Sequence, residues 1–294
     1  MRSSFRVSFD ENGASKSVAT RLAGPSLLSR RLFDSKMPVA SNLVQPNVPK
    51  SRFTGYCGVT SFRRSKPVMT PPLTDETPAL DAGVTSAQLS DSLDSIGLRD
   101  RVVAATVQSQ TRGARIAGVA RTVRFEPETR PAVEAYGDPH PYDTFIEFMD
   151  GVEPGEVIVV STGGDPSTAY WGELFSAAAI GRGGVGVICD SFTRDRSKID
   201  ALRFPVFSAG TRPIDFRARM VITGHQVPVV FGGVRISPGD LVLGDDDGIV
   251  VAPLDRLGEV VEVANARAAT ESAVLEELLS GSTIGEVWKK YRTL

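Results

Sequence analysis

Residues 170–195 read YWGELFSAAAIGRGGVGVICDSFTRD, and the parsing of this stretch decides the fold. Its first half has the composition of a helix from about Gly172 to Ile180, stopped by Gly181, Gly183 and Gly184. Its second half opens on the apolar run Val185-Gly186-Val187-Ile188-Cys189, which reads as a buried strand. Upstream, Val157 to Val160 is a second such run, followed by the turn-rich Ser161-Thr162-Gly163-Gly164-Asp165-Pro166-Ser167. Strand, helix and strand in that order are normally joined by a parallel crossover. The chain is therefore expected to be an α/β protein.

The flanking sequence supports this. Thr85-Ser86-Ala87-Gln88 fits a capping box, and Leu89, Leu93 and Ile96 recur at helical spacing before Gly97. Residues 115–125 alternate as a strand, and 142–149 read as a helix closed by Asp150-Gly151. Strands are expected at 204–208 and 227–231. Two more lie within 234–251, around Pro238-Gly239-Asp240 and Gly244-Asp245-Asp246-Asp247-Gly248. A helix from Leu254 to about Leu279 and a short one over 286–291 close the chain. There is no internal repeat, so one mixed domain of roughly 210 residues is expected.

Of the 294 residues, 41% are hydrophobic and 23% charged, an ordinary globular balance that allows a sizeable core. Cys57 and Cys189 are too few for a disulfide framework and lack metal-ligand spacing, and His140 and His225 lie far apart. Catalysis is thus expected to rest on carboxylates, Arg or Lys. The net charge of −2 hides an asymmetry, because residues 1–68 carry 12 Lys and Arg against 3 Asp and Glu. Together with Pro25, Pro38, Pro46 and Pro49, this marks residues 1–82 as a basic, mostly disordered extension ahead of a domain over 83–294. Three readings of the extension stand side by side: an organelle-targeting segment, a basic arm for nucleic acid, or a plain tail with translation starting at Met37 or Met69. No apolar run approaches the ~20 residues that cross a bilayer. A cytoplasmic location is expected, with organelle targeting as the alternative. No membrane partner is expected, and a nucleic-acid partner is disfavoured.

Two places in the opening stretch carry chemistry. The helix start Gly172-Glu173-Leu174-Phe175 offers unpaired backbone N–H groups and the positive end of a helix dipole, a cradle for carboxylate or phosphate. At the other end, Arg194 can hold a carboxylate with two parallel hydrogen bonds and Asp195 can ligate a hard cation through oxygen. Together they would suit a small 2-keto acid, with Mg²⁺ on Asp195 and Arg194 facing enolate charge. Against this, adjacent charges in a loop commonly pair only with other surface charges.

Other motifs carry less. Gly163-Gly164-Asp165-Pro166-Ser167-Thr168-Ala169 is similar to the signature of phosphohistidine swivelling domains, but Thr168 stands where the phosphorylated His would be. The glycines over 181–186 follow a helix instead of opening one, so they are no dinucleotide fingerprint. Lys198 is expected to be an exposed Lys and not a Schiff-base former, and Asp245-Asp246-Asp247 reads first as a turn.

Several of these pieces occur together in one known family. Leu89-Ser90-Asp91-Ser92-Leu93, residues 115–123 (RIAGVARTV), Gly172-Glu173-Leu174, Arg194-Asp195, Pro205-Val206-Phe207, Pro238-Gly239-Asp240 and Asp246-Asp247-Gly248-Ile249-Val250 appear in the family's order. From about Gly83 to Tyr291 the chain resembles the RraA-like family, which joins the 4-hydroxy-4-methyl-2-oxoglutarate aldolases with the regulator of ribonuclease E activity A. The resemblance implies a layered α/β/β sandwich related to the phosphohistidine swivelling domain, assembled as a homotrimer or dimer of trimers with sites between subunits. It implies a class II pyruvate aldolase using Mg²⁺ or Mn²⁺, with oxaloacetate decarboxylase activity through the same enolate. Gly172, Glu173, Leu174 and Phe175 would then be the substrate-binding turn, Arg194 the substrate-binding arginine and Asp195 the metal ligand. Glu271 would send a carboxylate into a neighbouring subunit's site. The alternative is a non-catalytic trimeric regulator of a ribonuclease or other protein. The chain departs from the family at Lys198, where an acidic residue is usual, with Asp200 close by but offset, and at Ser191, where Gly is usual.

Overall fold

The computed structural model describes residues 79–111 and 113–294. In chain order the elements are α1 (Ser86–Ser95), β1 (Gln108–Ser109), β2 (Ile116–Pro127), α2 (Ala132–Tyr136), α3 (Asp143–Asp150), β3 (Glu156–Ser161), β4 (Ala169–Trp171), α4 (Glu173–Gly181), β5 (Gly186–Thr193), α5 (Arg196–Leu202) and β6 (Val206–Thr211). Then follow β7 (Met220–His225), β8 (Val229–Phe231), β9 (Val234–Ile236), β10 (Leu241–Asp245), β11 (Gly248–Ala252), α6 (Leu257–Leu279) and α7 (Ile284–Tyr291). The basic extension lies outside the described residues except for 79–82. These pack with the domain: Asn265 on α6 donates to the Ala79 carbonyl and accepts from the Asp81 N–H.

The anticipated parallel crossover is present. β2, β3, β5 and β6 lie side by side in parallel, Val157↔Gly186 to Val160↔Cys189 setting the β3–β5 register. β10 and β11 extend the sheet antiparallel beyond β2, turning at Asp246-Asp247 as anticipated. Val102 bridges Val250 of β11 while Gln108 and Ser109 pair with β6, so the segment 102–109 draws the two ends of the sheet together into a nearly closed barrel.

Strand alternation distributes the core. Val157 and Val159 of β3 point inward with Ile116, Ile188, Phe207, Val242 and Val251, and the β8–β9 hairpin covers this face with Val229, Phe231, Val234 and Ile236. Ile158 and Val160 point outward with Val187 and Cys189, beneath Phe145, Phe148 and Met149 of α3, Ala179 of α4 and Ile199 of α5. A third cluster joins Leu89 and Leu93 of α1 to Val260, Val261 and Ala264 of α6 over Leu243 and Val250. Helices, main sheet and hairpin are thus the three layers of the expected α/β/β arrangement. Sheets buried on both faces read as unbroken apolar runs, which is how β3 and β5 announce themselves. The capping box of α1 forms as read, the Thr85 N–H donating to Gln88 Oε1 and the Gln88 N–H to the Thr85 hydroxyl oxygen; such a cap contributes about 1 kcal/mol.

One local reading is corrected, and one element is added. β5 does not stop at Cys189 but runs on to Thr193, because its polar residues find partners inside the protein. Asp190 accepts from the Thr162 N–H and hydroxyl at 2.8 and 2.6 Å, and the Ser191 hydroxyl donates to the Asp165 carbonyl. Burial still pushes the Asp190 carboxyl above its ordinary range, the hydrogen bonds from 162–164 opposing the shift. Residues 169–171, to which the sequence reading assigns no element, form β4, paired in parallel with the end of β5. Among the described residues no helix is long and apolar enough to cross a membrane.

Candidate active site

β4 and the end of β5 bring together the two halves of the opening stretch. Arg194 donates its backbone N–H to the Trp171 carbonyl at 2.8 Å, which sets Arg194 and Asp195 beside the Gly172 turn that starts α4. Buried Trp171 fixes that turn: its indole N–H donates to Ser176 Oγ at 2.8 Å, and the Ser176 hydroxyl donates to the Gly172 carbonyl at 3.0 Å. Gly172 has no side chain to cap the helix, so the N-terminus of α4 receives no hydrogen bond from its own cap residue. The Glu173 N–H points at Asp195 Oδ2 from 3.4 Å.

Asp195 sits at φ 61°, left-handed backbone that a non-glycine residue seldom adopts, between the end of β5 and the start of α5. That turn holds its carboxylate toward Gly172 instead of letting it follow the strand. A cavity of about 330 Å³ is lined by Gly172, Leu174, Phe175, Arg194 and Asp195, joined by Tyr142 and Ile146 of the α3 region. The structure thus gathers four of the residues singled out for substrate binding, and Asp195, around one space.

Glu173 is held differently. Its Oε2 lies 2.7 Å from Lys198 Nζ, an ion pair across the mouth of the site between α4 and α5. The Glu173 carboxylate raises the Lys198 pKa, so the ammonium stays charged throughout the neutral range. Lys198 is an exposed residue as anticipated, but one with a partner. Glu271 is elsewhere in the chain: on α6 it accepts from Gln88 Nε2 at 2.7 Å and pairs with Arg267 at 2.9 Å.

Two residues not singled out from sequence complete the electrostatics. Asp215, in the loop after β6, lies 3.3 Å from Arg194 Nη1, and the Tyr142 hydroxyl donates to the same carboxylate oxygen at 2.6 Å. Burial, then Asp215, push the Tyr142 hydroxyl up to about 12, so it remains a donor at neutral pH. Arg194 is therefore aimed by Asp215 on one side and Asp195, 3.7 Å from its Nε, on the other. The only sequence signal for Asp215 was its position in Pro213-Ile214-Asp215 just past a strand, and Tyr142 carried none.

Asp195 is one hard oxygen ligand, and no group of three or more His, Cys, Asp or Glu that could hold a metal ion occurs among the described residues. This donor set fits a cation such as Mg²⁺ that keeps most of its waters and takes further oxygens from a substrate, not one caged by protein. Thr168, at the position of a phosphohistidine, is buried and donates to the Ile214 carbonyl at 2.9 Å, so its hydroxyl has a structural role.

Comparison with known proteins identifies the family. The family profile described as RraA-like, Aldolase/RraA, matches residues 86–251. Protein DlpA of Legionella pneumophila is 30% identical over 206 residues, which span 70% of this chain but only 32% of DlpA. A Halalkalibacterium halodurans protein provisionally named 4-hydroxy-4-methyl-2-oxoglutarate aldolase is 32% identical over 185 residues, 63% of this chain and 80% of that protein. The crystal structure of Streptomyces coelicolor RraAS2, described as an unusual member of the RNase ES inhibitor RraA protein family, superimposes with a TM-score of 0.56 at 29% identity, covering 68% of this chain and 92% of that one. The chain belongs to the RraA-like family, its matched region running from the start of α1 into β11.

Proposed function

We propose that the protein is a divalent-metal-dependent pyruvate aldolase of the 4-hydroxy-4-methyl-2-oxoglutarate type, with oxaloacetate decarboxylase activity. The observation that carries this reading is the shared cavity in which the start of α4, Arg194 and Asp195 meet. The N–H groups at the start of α4 hold the substrate carboxylate with the help of the helix dipole, the Glu173 N–H giving up its long contact to Asp195. Arg194, held by Asp215, faces the keto oxygen and neutralises charge as it grows there. Mg²⁺ or Mn²⁺ bound through Asp195 would supply Lewis-acid polarisation of the keto group. The 4-hydroxyl passes its proton to a water at the site, which returns one at C3; the C3–C4 bond breaks, and its electron pair passes into the enolate of one pyruvate. The other fragment leaves as a second pyruvate, and protonation at C3 completes the first. The apolar wall of Ile146, Leu174 and Phe175 limits water around the enolate. A homotrimer or dimer of trimers would let Glu271 of one copy approach the site of the next, and a soluble cytoplasmic setting fits this chemistry.

The similarity to an RNase ES inhibitor family member supports a second reading, a trimeric regulator that binds a protein partner. Pyruvate release from 4-hydroxy-4-methyl-2-oxoglutarate and from oxaloacetate, followed with and without Mg²⁺, separates the two. The enzyme turns both over only with metal, and Asp195→Ala abolishes the metal-dependent rate. Absence of turnover by the wild-type protein on both acids leaves the regulator reading standing alone.

A further inference from the structure

Arg194 and Asp195 border a second space. On the side away from Leu174 and Phe175, a cavity of about 420 Å³ is lined by Arg194, Asp195, Arg196, Thr211, Arg212 and Pro213. Its geometry follows from the sheet. β5 and β6 are parallel and in register at their last residues, Thr193↔Thr211, and the Arg212 N–H donates to the Thr193 carbonyl at 2.9 Å. The residues that come next, Arg194 and Arg212, therefore leave the carboxyl ends of adjacent strands together, the location where open α/β sheets gather ligands. Arg196 joins them as the first residue of α5.

The charges differ in how far they are already satisfied. Arg194 is flanked by Asp195 and Asp215, and Arg196 has Asp200 at the outer limit of an ion pair, 4.0 Å, while its Nη2 donates to the Gln110 carbonyl at 2.6 Å. Among the described residues Arg212 makes no ion pair. Its guanidinium is nonetheless held, with Nη1 donating to the Pro166 carbonyl and its carbon 5.6 Å from the centre of the Phe192 ring. A half-buried guanidinium fixed in place without a carboxylate partner is a preorganised anion receptor. The first cavity offers apolar walls to the remainder of a substrate, whereas this one offers cations.

We propose that Arg212 and Arg196 form a second anion subsite that selects 2-keto acids carrying a distal carboxylate. The subsite rests on the keto-acid reading of Arg194 and Asp195 and adds to it the direction in which the substrate lies: head group at the α4 N–H cradle, tail between the ends of β5 and β6. Selectivity then comes from residues outside the reacting centre, and Arg212 acts by contact with the tail.

Calorimetric titration of the full chain in Mg²⁺ with pyruvate and with 2-oxoglutarate tests this, because the two share the keto-acid head and differ in the distal carboxylate. The wild-type protein binds 2-oxoglutarate at least about tenfold more tightly, the worth of one charge-assisted pair. Arg212→Gln and Arg196→Gln each lower that preference while pyruvate affinity stays within about twofold, and Arg212→Lys restores part of it. Melting temperatures confirm that each variant is folded; should Arg212→Gln not fold, Arg212→Lys and Arg196→Gln carry the comparison. An unchanged preference in folded variants that bind both ligands overturns the subsite alone. Failure of the wild-type protein to bind either ligand overturns the keto-acid reading and the subsite with it.

Discussion

Gly172 and Asp195 approach so closely that a Cβ on Gly172 would lie 2.8 Å from Asp195 Oδ2, with Arg194 Cγ at 3.2 Å. Hydrogen is the only side chain that leaves this carboxylate where it is. The φ of Gly172, −155°, is open to any residue, so the requirement comes from the neighbouring strand end and not from the backbone.

Gly172→Ala follows from that contact. The atom displaced is the tip of a flexible side chain, so folding stability changes by less than about 1 kcal/mol. The Asp195 carboxylate must swing away, and Mn²⁺ affinity and pyruvate-forming turnover each fall at least about tenfold. Calorimetry with Mn²⁺ and steady-state kinetics measure these; undiminished values in a folded variant would remove Asp195 from the metal-binding role.

Lys198 sets the charge at the mouth of the site. With 62% of its side chain exposed, its ion pair with Glu173 is screened by water and adds little to stability. Lys198→Glu replaces a cation near Asp195 with an anion and tightens Mn²⁺ binding by roughly three- to tenfold at low salt, an effect that shrinks at high ionic strength. Titrations at two salt concentrations check both the direction and the screening.

Tyr142 gives a signed pH dependence. The folded chain retains the Tyr142 proton up to about 12, whereas an ordinary tyrosine loses it near 10.0. Its contribution to stability is complete below the lower value and is lost as pH rises toward the upper one. Tyr142→Phe costs about 1 kcal/mol at neutral pH through the lost bond to Asp215. Denaturant unfolding across alkaline pH should show the gap between wild type and variant narrowing as pH rises; a constant gap contradicts the assigned shift.

Gly118 tests the barrel itself. A Cβ there would lie 2.2 Å from the Gly155 carbonyl oxygen and 3.0 Å from Val185 Cγ2, so backbone must move. Gly118→Ala should cost at least about 2 kcal/mol, read as a fall in unfolding midpoint. Gly258→Ala, which meets nothing within 4 Å and lies in the first turn of α6 where Ala is the better helix former, serves as the control in which the midpoint does not fall.

Where local pattern carries the information, sequence reading succeeds. The Thr85/Gln88 cap, the apolar runs of β3 and β5, and the Asp246-Asp247 turn each depend on residues within a few positions of one another. β4 escaped because three residues have no measurable period, and only pairing with Phe192 and Thr193 makes them a strand. The end of β5 was set too early because Asp190 and Ser191 look like loop residues until Thr162 and Asp165 are folded against them. The anion cradle at 172–175 and the Arg194-Asp195 pair were visible as residue types suited to a keto acid. What holds Arg194 was not visible, since Asp215 and Tyr142 come from a distant loop and helix.

From residues alone came the crossover, the identity of the cations and carboxylates near the strand ends, and the resemblance that their order supports. Folding decided which charge meets which: Lys198 with Glu173, Arg194 with Asp215, and Arg212 with no carboxylate among the described residues. The physical reason is range. Hydrogen-bonded turns and side-chain periodicity are set by neighbours along the chain, whereas an ion pair or an open guanidinium depends on where separate strands end in space.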